Sequence, residues 1–310
     1  MKKILKYYLL ISAVCFWHID SHAETKDLSP QQHYEQMQRK LATGWNTWDT
    51  RSALTHVLLP YGAAIDLHVI DGKGIRKNSF TIGSGLLHAG PHTYDGKYTD
   101  ISLRWNDQKL RIESSADSLE NIIRITPLEG NNPEGKIIVV LKGVWQRDVK
   151  IQVNGQLFQF RPGNLKQEIK GQAYGKWVKS ERNEITFSTQ EPITICCGSD
   201  IEPVKAQNKL RESADRFVNN NKKQYGDDYE VYNAMQNVLS WDNIYDPTIR
   251  KVITPVSRDW NINWSSNPNY GGFVLFCWDS YFASMMFSAG NRELAYANAV
   301  EITKSITESG

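Results

Sequence analysis

The chain is poor in cysteine, with four in 310 residues, and Cys15 falls in a segment expected to be removed. Cys196, Cys197 and Cys277 remain, an odd number with two adjacent, so no disulfide framework and no metal spacing can be read. We take these three as small buried apolar residues. The chain also lacks an excess of charge. Its formal net charge of +2 is carried by the N-terminal segment, where Lys2, Lys3 and Lys6 face only Asp20. The near-neutral remainder points to no nucleic acid and no acidic surface as partner. After residue 17 no apolar run approaches the roughly 18 residues of a membrane span, so no membrane partner is expected once the N-terminal segment is gone. His56, His68, His88 and His92 share no ligand spacing and read as ordinary strand or loop residues.

What is present begins with the layout of a secretory signal peptide over residues 1–23: the three lysines, the apolar stretch Tyr7 to Trp17, and the small-x-small ending Ser21-His22-Ala23. This implies a periplasmic or extracellular protein. A lipoprotein anchor at Cys15 is the rival reading, opposed by the bulky Val14 before it and the absence of a Leu three residues before it. The remaining residues, about 290, suit two domains. Many aromatics with low mean hydropathy argue for a globular chain and against disorder.

Ser29-Pro30 opens a short helix with Tyr34, Met37 and Leu41 on one side, and Gly44 closes it. Trp45 and Trp48 then read as packing where two domains meet. From Ala64 to about Cys197 the period is that of strands. Ile65, Leu67 and Val69 alternate, Ile101, Leu103 and Trp105 likewise, and Asp71-Gly72 and Asn154-Gly155 mark turns. Ile137 to Leu141 reads as a buried strand. Many short strands without intervening helices predict an N-terminal antiparallel β-sandwich over residues 24–202. No charged group in it has catalytic spacing.

After Pro203 the period becomes helical. Val204, Leu210, Ala214 and Phe217 predict one helix ending in the polar stretch 219–223. Val231, Met235, Val238 and Leu239 predict another, ending near Tyr245-Asp-Pro247. A helix carrying Tyr281, Phe282, Met285, Met286 and Ala289 on its inner side closes at Gly290. Asn291 caps a last helix towards Thr307, with Leu294, Ala297 and Val300 inward. So few helices cannot close a layer, so residues 203–310 read as the start of an incomplete helical domain. Asp242, Asn243 and Asp246 could hold a calcium ion through their oxygens, but a helix end stopped by Pro247 explains them without one. No cofactor is required by anything in the chain.

Between the second and third of these helices lies the densest chemistry. Pro255-Val-Ser-Arg-Asp-Trp-Asn-Ile-Asn-Trp264 is followed by Phe276-Cys-Trp-Asp-Ser-Tyr-Phe282. Asp279 stands beside Trp278 at the start of a helix, which it either caps or uses to face a cavity. Aromatic rings around one carboxyl group suit a sugar, because pyranose faces stack on rings and a desolvated Asp gains a raised pKa and can act as an acid. Arg258 reads as a pocket residue or as a salt-bridge partner between domains.

Together with Trp45-Asn-Thr-Trp48 and the run Tyr232 to Pro247, these two stretches resemble the inverting α-glycosidases of glycoside hydrolase family sixty-three, nearest to bacterial glucosidase and mannosylglycerate hydrolase-like members. The resemblance runs from about Gly44 onward and rests on four motifs in the right order. It implies a β-sandwich packed on an α/α toroid, an O-glycosyl hydrolase acting on an oligosaccharide, and Asp279 as general acid. It further implies that Arg258, Trp260, Trp264 and Trp278 line the subsite of the departing sugar. Inversion requires a second carboxylate roughly 6.5 to 9.5 Å from the acid to activate water. In the family that base is a Glu in later toroid helices, beyond the residues present, so the chain is expected to be a fragment, inactive without the missing C-terminal half. The competing expectation is a non-catalytic carbohydrate-binding or interaction module using the Trp-rich edge of the sandwich.

Overall fold

The computed structural model describes residues 29–81, 86–198, 201–258 and 275–304. The expected signal segment, Trp260 and Trp264 lie outside the described residues. The chain divides into two compact units, Met1–Gln36 and Met37–Gly310. In the first, helix α1 (Pro30–Leu41) starts on a reciprocal cap: the Ser29 amide donates to Gln32 Oε1 at 2.8 Å and the Gln32 amide to Ser29 Oγ at 3.3 Å.

The second unit opens with β1 (Gly44–Asn46), β2 (Thr55–Leu59), β3 (Ala63–Ile70), β4 (Arg76–Lys77), β5 (Leu86–His92), β6 (Thr99–Trp105), β7 (Gln108–Asp117) and β8 (Glu120–Pro127). It continues with β9 (Lys136–Gly143), β10 (Val149–Asn154), β11 (Leu157–Pro162), β12 (Ile169–Tyr174), β13 (Trp177–Glu181), β14 (Glu184–Ser188) and β15 (Ile193–Cys197). Among the described residues one sheet has the order β1-β2-β3-β9-β14-β13, with β4 added to β3, and the other β10-β11-β12-β15-β8-β7-β6-β5. Their pairings are antiparallel. Alternation decides the core. Ile65, Leu67, Val69, Val139, Leu141 and Phe187 of the first sheet face Leu103, Ile112, Ile123, Phe160 and Ile195 of the second in one buried cluster. This is the expected antiparallel, sandwich-like arrangement, and the hairpins at Asp71-Gly72 and Asn154-Gly155 are present. The sheets begin earlier than Ala64, because the apolar run Val57 to Leu59 is itself a strand.

Helices follow: α2 (Pro203–Tyr225), α3 (Tyr229–Asp242), then the hairpin β16 (Ile244–Asp246) and β17 (Lys251–Ile253), then α4 (Cys277–Phe287) and α5 (Arg292–Lys304). Asn291 caps α5 as expected, its Oδ1 accepting the Leu294 amide at 3.0 Å. Several expectations are corrected. The polar stretch 219–223 lies inside α2, which stops where Gly226 takes φ 58° and its amide reaches the Lys222 carbonyl. The expected end of α3 at Tyr245 is instead the β16–β17 hairpin.

Helix facing differs more. On α4 the apolar residues Phe282, Met285 and Met286 point outward and Ser280, Ser284 and Phe287 inward. The small serines let α5 approach, and Asn298 Nδ2 donates to the Ser280 carbonyl at 2.9 Å and to Ser284 Oγ at 3.1 Å. Val204, Val231 and Val238 are likewise exposed. On α3 the inward side is Gln236, Leu239, Ser240 and Trp241, each polar group satisfied: Gln236 Nε2 by the Met286 carbonyl and Trp241 Nε1 by the Gly90 carbonyl. Cys196 and Cys197 are buried as expected, but Cys277 is exposed, standing in the first turn of α4 where nothing described covers it.

Leu67 is completely buried in the sandwich core. Leu67→Ala should cost about 2–5 kcal/mol through lost burial and the cavity left behind. Lys150→Ala, on the exposed side of β10, should stay within about 0.5 kcal/mol. Denaturant unfolding of both variants checks this; equal losses would contradict the assigned facing of these strands.

Candidate functional site

The outer face of the first sheet is divided. Towards one end Val57, Leu59 and Ala64 meet Trp48, Leu239, Tyr245, Phe287 and Leu294, so Trp48 packs where strands meet helices, while Trp45 belongs to the core between the sheets. Towards the other end the same face carries Thr55, Asp66, His68 and Lys142. Thr55 lies opposite Asp66 and Ala64 opposite Lys142 in register, which brings these polar groups together. Asp66 is almost wholly buried and accepts three hydrogen bonds: Thr55 Oγ1 at 2.7 Å, His68 Nε2 at 2.9 Å and Lys142 Nζ at 2.5 Å. Arg76 Nε donates to His68 Nδ1 at 3.0 Å, which leaves the ring's donor on Nε2, facing Asp66.

Burial alone would raise the Asp66 pKa, but the His68 hydrogen bond and the charge and hydrogen bond of Lys142 outweigh it and bring it down to about 2. At neutral pH Asp66 is therefore a fixed anion and has no proton to give. A cavity of about 410 Å³ opens beside it, with Arg51, Ser79 and Arg258 on its walls. Arg51 is engaged by the buried Asp49 through Nε at 3.0 Å and Nη2 at 2.6 Å. No expectation from the sequence singled out this cluster, because Asp66 and Lys142 are 76 positions apart and meet only through the β3–β9 register.

Arg258 is buried. Its Nη1 donates to the Thr47 carbonyl and its Nη2 to the Asn243 carbonyl, each at 2.6 Å, tying the segment after β1 to the end of α3. Next to it His92 lies between Thr47 Oγ1 (2.7 Å from Nε2) and Ser240 Oγ (2.6 Å from Nδ1), its ring against Trp241. Burial first, then the Arg258 charge, pushes the His92 pKa well below its ordinary value.

Asp279 occupies the third position of α4. Phe276, not Asp279, is the N-cap, and the carboxylate favours the positive end of the helix from inside its first turn. Asp279 is half-buried and forms no hydrogen bond or ion pair among the described residues. Trp278 is 67% exposed and meets Phe282 edge to face at 5.9 Å. Asn243 and Asp246 are used locally, with Asp246 Oδ1 accepting the Thr248 amide at 2.7 Å and Asn243 Oδ1 the Thr254 hydroxyl at 2.5 Å. Among the described residues no group of three or more His, Cys, Asp or Glu side chains is placed to hold a metal.

No protein-family model matches the chain, and no curated protein sequence does. Among solved structures, a bacterial glucoamylase complexed with acarbose matches over 84% of this chain, with 13% identity and a TM-score of 0.32. The chain spans 49% of the length of that protein.

Two consequences are measurable. Replacing Arg258 by Ala would strip two buried carbonyls of their donors, and unfolding should show a loss of about 2–4 kcal/mol without any ligand present; a loss under about 0.5 kcal/mol would show that the anchoring bonds contribute little. The second concerns His56, fully enclosed, whose pKa burial lowers to about 4. Below about pH 6.5 the unfolded chain takes up a proton that the folded histidine refuses, so stability present above 6.5 is lost progressively down to about 4. In urea titrations between these limits His56→Gln should reduce the pH slope by up to about 1.4 kcal/mol per pH unit. An unchanged slope would assign the acid sensitivity elsewhere, His92 first.

Proposed function

We propose that this chain carries the general-acid half of an inverting α-glycosidase acting on α-glucosides or related α-linked oligosaccharides, with Asp279 as the acid. The observation that carries the reading is the setting of Asp279: a carboxyl group without a structural partner among the described residues, next in sequence to Trp278 on a helix whose exposed Trp278 and Phe282 rings meet edge to face. The adjoining sequence motifs agree with it. In the reaction, Asp279 passes its proton to the glycosidic oxygen as the bond to the anomeric carbon breaks, and water, deprotonated by a second carboxylate, attacks from the opposite face. Arg258, Trp260, Trp264 and Trp278 shape the subsite of the departing sugar. The burial of Arg258 makes it a support for that wall more than a mobile ligand group.

The rest of the reading is a secreted protein with residues 1–23 as signal peptide, a sandwich over 24–202 and the first helices of an α/α toroid over 203–310. The outward apolar side chains Val238, Phe282 and Met285 are of the kind that toroid helices bury against the next pair.

The test measures turnover of α-glucosides by the longest polypeptide expressed from the gene that encodes this chain. Asp279→Asn should lower kcat by about 10²–10⁴-fold while oligosaccharide binding persists. Turnover that is indifferent to Asp279→Asn would remove the acid assignment and leave the non-catalytic sugar-binding module as the better reading.

A further inference from the structure

We infer that the outer face of β10, β11 and β12 is a binding surface for a neutral oligosaccharide, separate from Asp279 and independent of any catalytic role. A concave surface with a volume of about 820 Å³ lies over these strands and is bounded by Glu202 at the start of α2. Its floor follows from alternation. Val149, Ile151, Val153, Phe158, Phe160 and Ile169 turn into the sandwich, so Gln152, Asn154, Leu157, Gln159, Lys170, Gln172 and Tyr174 turn outward. Register sets them in rows. Gln152 lies opposite Gln159, and Asn154 opposite Leu157, which lies opposite Gln172. Successive members of a row are therefore about 4.8 Å apart, the spacing between strands.

The composition of this face is not that of a merely solvated sheet. Each amide offers both donors and acceptors, as sugar hydroxyls require, and carries no charge that would demand a charged ligand. The charged groups lining the cavity, Lys170 and Glu202, are of opposite sign, and Lys150 and Arg161 lie beyond it on the same outer face, Arg161 paired with Glu168. Leu157, 50% exposed, and the Tyr174 ring supply apolar area for the C–H face of a pyranose. Farther along the same sheet α2 covers the outer face, packing Ala206 and Leu210 on Ile122 and Cys196, so the amide rows occupy the part that the helix leaves open.

The groups are also held in place. Gln159 Nε2 donates to Gln152 Oε1 at 2.5 Å, and the Tyr174 hydroxyl to Gln172 Oε1 at 3.1 Å. Beside the β10–β11 turn, Ser180 Oγ donates to the Gly155 carbonyl at 2.6 Å and accepts from Trp177 Nε1 at 3.0 Å, which fixes a 47% exposed indole near that end of the rows. Polar groups fixed on paired strands lose little freedom on binding, which favours affinity for a weakly held, hydroxyl-rich ligand.

Isothermal titration of the 310-residue chain with maltohexaose, cellohexaose, mannohexaose and xylohexaose tests the inference. At least one should bind, and Gln159→Ala and Tyr174→Ala should each weaken that binding at least fivefold. Arg104→Ala, on the exposed side of β6, should change it less than twofold. If Tyr174→Ala lowers the unfolding midpoint, Gln152→Ala, with an exposed side chain, reports on the same surface. The absence of binding to all four sugars, or binding indifferent to Gln159 and Gln152, overturns the inference. Binding abolished by Trp278→Ala but indifferent to Gln159 and Gln152 overturns it too while leaving the catalytic reading intact.

Discussion

The packing of Trp48 at the outer face of the first sheet is the contact on which the rest of the second unit depends. Its buried ring joins Val57, Leu59 and Ala64 from the strands to Leu239, Phe287 and Leu294 from three different helices. Those helices have modest apolar sides of their own, and their mutual contacts run through serine, glutamine and asparagine. Without an apolar layer to dock on they would have little reason to stay together, since helical stability in proteins comes mainly from tertiary packing. The polar contacts then fix orientation within that layer. Arg258 bonds two carbonyls from opposite sides of it, and Tyr94 packs its ring edge-on to Phe287 at 5.6 Å.

One fold gives two carboxyl groups, one on this sheet face and one on α4, different settings. Asp66 is surrounded by donors and a lysine, is held ionised, and organises a polar cluster under the cavity beside Arg51 and Arg258. Asp279 stands in the first turn of a helix, next in sequence to Trp278, with no donor among the described residues. The donors around a carboxyl group, more than its burial, decide whether it is held as an anion.

Much of the fold was legible in the sequence. Period-2 alternation in Ile65, Leu67 and Val69, turn pairs at Asp71-Gly72 and Asn154-Gly155, and the change of period after Pro203 were sufficient for the sheets and helices, because these signals are local. Facing on the helices was not legible. Phe282 and Met285 read as inward by hydropathy, but α5 packs on the small serines of α4, and which side of a helix is covered depends on what arrives to cover it.

The site divides along the same line. The sequence by itself determined which residues stand next to one another along the chain, and so it placed Trp278 beside Asp279 and put both in the first turn of a helix. Only the tertiary structure decided that Asp66, His68 and Lys142 share one buried anion, that Arg258 is an anchor between two carbonyls, and that Gln152, Gln159 and Gln172 lie in rows. Each of those facts requires strand register or docking across tens of residues. Register is set by packing the whole sandwich at once, and no local pattern of side chains encodes it.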